Sequence, residues 1–140
     1  MAQGLGTSPY TRDILRLAAH VPGRVGFDAI DGPELRSPTC GARMRVAVAT
    51  EDGRITALTQ AVEACAFGQA AAAVMAEGAG GKSADDVRQA LDAIRGWLGG
   101  GALPAWRGID ALDPVVALPG RHGAVLLPFR ALLAALERTP

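Results

Sequence analysis

Lysine is almost missing from this chain: Lys82 is the only one, and every other cationic side chain is arginine. With heavy alanine and glycine usage, that bias reads as genomic composition and not as a phosphate-binding signal. Net charge is missing too. Acidic and basic residues balance to a formal charge of zero, so no global field draws the chain to nucleic acid or an anionic membrane. No run approaches the roughly eighteen apolar residues that a membrane span needs. Residues 1–9 have neither a basic segment nor an apolar one, so no secretory signal is expected. The expected compartment is cytoplasmic, where thiols stay reduced. No Ser/His/Asp arrangement, P-loop or dinucleotide fingerprint is present, and the chain does not read as an enzyme. Cysteine is scarce: Cys40 and Cys65 are the only two. In a reducing compartment such a pair is buried and inert, or metal-linked and reactive, more often than a structural disulfide.

What is present suffices for one domain. The chain has 140 residues, 49% of them apolar and 20% charged. A chain of that size buries about two thirds of its unfolded surface, so residues 1–140 are expected to form one globular unit. Residues 10–20 carry Ile14, Leu15, Leu17 and Ala18 at helical spacing, with Thr11 or Ser8 as possible N-caps. Val21-Pro22-Gly23 breaks this helix, and His20 suits its C-terminal dipole. Residues 25–30 read as a short strand. Met44, Val46 and Val48 then alternate with Arg43, Arg45 and Ala47, the period of a half-buried strand. A turn at Asp52-Gly53 leads into a second, antiparallel strand through Ile55, Ala57, Thr59 and Ala61.

Helices would cover this sheet. Residues 66–77 are nearly all alanine around Phe67, Val74 and Met75, a composition of high helix propensity whose small side chains allow close approach to the sheet. The glycines from Gly78 to Gly81 would end that helix. Ser83 would cap the next, with Val87, Leu91, Ile94, Trp97 and Leu98 on one face. Residues 103–113 read as an irregular link around Trp106. A last helix is expected within 124–138, where Pro128 is tolerated if it lies in the first turn. The fold class is therefore α+β: a small three-stranded antiparallel sheet with helices packed on one face.

The chain is organised around residues 37–75, which hold both cysteines. Cys65 lies just ahead of the alanine-rich helix, where backbone N–H groups favour the thiolate and raise nucleophilicity and metal affinity. Cys40 sits in a loop flanked by Pro38 and Gly41. If the sheet closes as expected, both thiols lie at one end of the domain. Thiolate sites of this kind suit iron–sulfur clusters, zinc and sulfur transfer. Two cysteines are half of a four-ligand set, and His122 is the best nitrogen candidate for a further metal ligand.

Several segments then resemble one family, and the resemblance covers nearly the whole chain. His20-Val21-Pro22-Gly23-Arg24-Val25-Gly26 is similar to a turn of the form H…P-R-N-x-G. Ser37-Pro38-Thr39-Cys40-Gly41 resembles N-P-x-C-G-D. Asp52-Gly53-Arg54-Ile55 followed by Ala64-Cys65-Ala66 resembles D-G-x-I…G-C-A. Gly81-Lys82-Ser83 resembles G-K-S/T, and Leu118-Pro119-Gly120-Arg121 resembles the start of P-x-R-x-x-C-A-x-L. In order and spacing these match the iron–sulfur cluster assembly scaffolds of the NifU N-terminal, IscU and SufU type, in a SufE/NifU-like fold. Two departures matter. The position of the family's third cysteine is Ala124, and that of the aspartate after the first Cys-Gly is Ala42.

The resemblance implies a scaffold that holds iron or a [2Fe–2S] cluster through Cys40 and Cys65, with zinc as another metal the pair could take. With a thiolate replaced by a methyl group at 124, a cluster would need two subunits, each giving two thiolates. It also implies a cysteine desulfurase as sulfur donor and apo-proteins as acceptors. Arg121 keeps its motif position, although a capping or surface arginine would look the same. An alternative stays open: a module of the same fold that holds no cluster and engages a desulfurase or another scaffold.

Overall fold

The computed structural model describes residues 8–38 and 41–139. Thr11 starts the first helix, α1 (Arg12–Ala19), by accepting a 3.1 Å bond from the Ile14 amide. That bond satisfies one of the amides that a helix start leaves without a partner. The break at Val21-Pro22-Gly23 follows. Gly23 has φ +70°, and a Cβ there would lie 2.6 Å from the Leu58 carbonyl oxygen, so only glycine fits this approach to the sheet.

The strand expected at 25–30 does not form. Arg24 makes an isolated parallel bridge to Gln60, and Phe27–Ala29 is a turn of 3-10 helix. The third strand lies further on, as β1 (Leu35–Arg36), which pairs antiparallel with β2 (Arg43–Glu51); β2 in turn pairs with β3 (Arg54–Glu63). Phe27–Ala29 instead serves the sheet from outside. Arg45 donates to the carbonyls of Phe27 and Ile30, and the Arg43 guanidinium lies 3.9 Å from the Phe27 ring centroid.

The hairpin turn is as expected: Asp52 and Gly53 both take positive φ, 54° and 76°, which matches the twist of the strands they join. Beyond it the pairing slips by one residue at Ala49/Thr50. The slip reverses the alternation, so Ile55 joins Gln60 and Val62 in the interior while Ala57 and Thr59 face out. Gln60 is the one buried polar side chain of β3. It donates to the carbonyls of Pro22 (2.8 Å) and Ala72 (3.2 Å), joining three segments.

The alanine-rich helix α2 (Ala66–Ala79) runs through the middle of the domain, with Ala70 to Met75 at 0% exposure. It lies between α1, β3 and α4 (His122–Arg138), and it is α4 that spans β2. Small side chains thus let one helix be enclosed on several sides rather than merely laid on the sheet. Gly78 does not end α2. It is buried inside it, and a Cβ there would sit 2.4 Å from the indole nitrogen of Trp106. Ser83 caps α3 (Ala84–Leu98) in a reciprocal box with Asp86, whose side chain accepts from the Ser83 amide at 3.0 Å.

The link after α3 is more ordered than expected. Trp106 is buried, donates to the Val74 carbonyl at 2.9 Å and meets Phe129 edge-on, and Ile109–Ala117 forms a 3-10 helix. α4 begins at His122, so Pro128 falls in its interior, not its first turn. The proline leaves the Ala124 carbonyl without an amide partner along the helix. The buried face of Val125, Leu127, Phe129, Leu132 and Leu136 outweighs that loss and carries the helix through.

Candidate functional site

Cys65 ends the chain's exit from β3 and is the N-cap of α2, with extended φ −65° and ψ 173°. Serine or aspartate at such a position turns its side chain onto the first-turn amides. Cys65 does not: its thiol makes no capping hydrogen bond, is free and is half-buried against the core. Ala66, Phe67 and Gly68 therefore present the amide end of a 14-residue helix beside an uncommitted thiol.

The sheet brings the other cysteine-bearing loop to the same end. Arg43, the first residue of β2, pairs with Glu63, two residues before Cys65. The loop ahead of Arg43 is closed by bonds from the Gly41 amide to Ser37 (3.0 Å) and from the Ser37 amide to Ala42 (2.9 Å). Cys40 itself lies outside the described residues. Gly41 takes φ +70°, and Ala42 is a core residue at 2% exposure. A methyl group fits that interior, whereas a carboxylate would have to be desolvated there.

Ala124 completes the picture. It is 1% exposed, and a Cβ placed on Gly68 would lie 3.6 Å from its own Cβ. Gly68 is one turn beyond Cys65, so the position where the family pattern has its third cysteine faces the first turn of α2.

His122 is placed differently. Its Nε2 sits 3.1 Å and 3.0 Å from the carbonyl oxygens of Val115 and Val116. That nitrogen donates to the backbone, which leaves Nδ1 as the ring's only free donor to a metal. Two residues along a helix also place His122 and Ala124 on different sides of α4. Among the described residues, no three His, Cys, Asp or Glu side chains come together.

The sheet end beside Cys65 carries a charge network. Arg43 bridges Glu34 and Glu63 at 3.0 Å each, and Arg36 meets Glu34 at 2.6 Å. Burial pushes the Glu34 carboxyl up, but the Arg43 hydrogen bond and the two guanidinium charges outweigh it and hold the group below its usual value. Both carboxylates are spoken for by arginine.

Sequence reasoning passed over Gln69 and Arg24. Gln69 donates through Nε2 to the Ala64 carbonyl at 2.9 Å, and its Oε1 accepts from Arg24 at 3.2 Å. Arg24 donates again to the Val62 carbonyl at 3.1 Å. The signal was available: Gln69 is the only polar side chain in residues 66–76. Lys82 and Ser83, singled out by their motif, are structural. Lys82 donates to the Gly78 carbonyl at the end of α2 and lies over the Trp106 ring.

An α+β domain with a three-stranded antiparallel sheet, a buried central helix and a cysteine at that helix's start is the class these observations define. Solved structures share the fold over nearly the whole chain. A NifU-like protein (N-terminal) described as nitrogen-fixing, from Brucella abortus, superimposes with a TM-score of 0.82 at 29% identity, over 92% of each chain. A candidate iron–sulfur cluster assembly scaffold protein for the SUF system, from Fervidobacterium islandicum AW-1, matches at 0.78 and 21% identity, over 91% of this chain and 96% of that one. A hypothetical protein matches at 0.79 and 23% identity, over 92% of this chain and 97% of that one. No protein-family model and no curated protein sequence matches the chain. The chain has the NifU/SufU-like scaffold fold, with Ala124 where that pattern has its third cysteine.

Proposed function

We propose that the chain is a scaffold-like protein of iron–sulfur cluster assembly, a binding protein and not an enzyme. It holds iron or a [2Fe–2S] cluster through Cys40 and Cys65. The observation that carries this reading is the free thiol of Cys65, left uncapped at the amide end of α2 and at the same sheet end as the Gly41 loop. The amides favour an anionic ligand set, as a thiolate-bound cluster is. The named role of the Fervidobacterium neighbour and the kinship in fold with the NifU-like domain support it.

Ala124 limits one subunit to two thiolates, so the cluster is bridged across two copies of the chain, each giving Cys40 and Cys65. Zinc is the metal such a pair takes when iron and sulfide are absent. His122 contributes only if its Nδ1 turns to the metal. A cysteine desulfurase supplies sulfur and apo-proteins accept the product, in the cytoplasm.

Iron, sulfide and solution mass of protein purified without air test this directly. Iron and sulfide near one cluster per dimer, lost in both Cys40→Ala and Cys65→Ala, is the expected result. A colourless, metal-free monomer after reconstitution would overturn it. The second reading, a module that holds no cluster and docks on a desulfurase or another scaffold, is favoured by the methyl groups at Ala42 and Ala124. That outcome would select it.

A further inference from the structure

We draw no further inference here: the strongest candidate, the cavity of about 460 Å³ between α3 and residues 104–106, has both of its charged lining groups already bonded, Lys82 to the Gly78 carbonyl and Asp86 to the Ser83 amide and Arg54, and nothing in the structure shows what covers it.

Discussion

The two ends of α2 contrast. At its C-terminal end polar groups are paired and the fit is tight: Lys82 binds the Gly78 carbonyl, Trp106 binds the Val74 carbonyl across a glycine that admits no side chain, and Ser83 and Asp86 cap each other. At its N-terminal end a thiol stands without a capping bond, and the buried methyl group of Ala124 lies against the first turn at Gly68. Both ends carry segments that resemble motifs of the same family, yet only at the N-terminal end is a side chain left without a capping bond. A motif that reads as chemistry can be a turn and a cap, as Lys82 and Ser83 are here.

The contrast can be broken most forcefully at the thiol. Cys65→Ala should abolish cluster absorbance after reconstitution while leaving thermal stability nearly unchanged, since a half-buried thiol without hydrogen bonds supports little. Persistence of the absorbance would remove Cys65 from the site. The converse change sharpens the comparison: Ala124→Cys places a third thiolate against the first turn of α2. It should raise zinc affinity by at least about tenfold in a competition titration with a chelator, since each thiolate adds a metal bond. An unchanged affinity would mean that position 124 does not face the ligand set.

The opposite end should respond in stability alone. Gly78→Ala drives a methyl into the Trp106 indole and threatens its bond to Val74, at a cost of about 2–4 kcal/mol in chemical denaturation. Metal content should be unaffected. A smaller effect is expected for Ser83→Ala, about 1 kcal/mol for a lost cap. The mildest is a pH effect. The amide and hydroxyl of Ser83, with Arg54 beside them, hold the Asp86 carboxyl below its ordinary value of 3.8. A depressed carboxylate stabilises the fold above the unfolded value and ceases to do so as pH falls through the folded one. The melting temperature should therefore drop in acid below about pH 4, and Asp86→Asn should flatten that part of the profile.

Legibility in the sequence followed the range of the forces. Thr11, the Asp52-Gly53 turn and the Ser83 cap were readable because each acts within a few residues. The strand expected at 25–30 was not one, because backbone pairing is a choice between partners, and β1 took the free edge of β2 while Arg24 took that of β3. The interior place of Pro128 was not legible, since the apolar face that carries α4 past it is a tertiary quantity. Within the site, Cys65 was legible from its place before an alanine-rich run. The partners of His122 and the grip of Gln69 and Arg24 were not, because they join residues far apart in the chain or depend on which way a ring turns.

By itself the sequence determined the fold class, the place of Cys65 at a helix start and the methyl group at 124, because composition, caps and periodicity are local properties of the chain. The tertiary structure decided which side chains meet. Only packing could bury α2 on several sides, set Ala124 against Gly68, turn His122 to the backbone and leave the Cys65 thiol without a capping bond, because such contacts depend on distances between segments that no local pattern encodes.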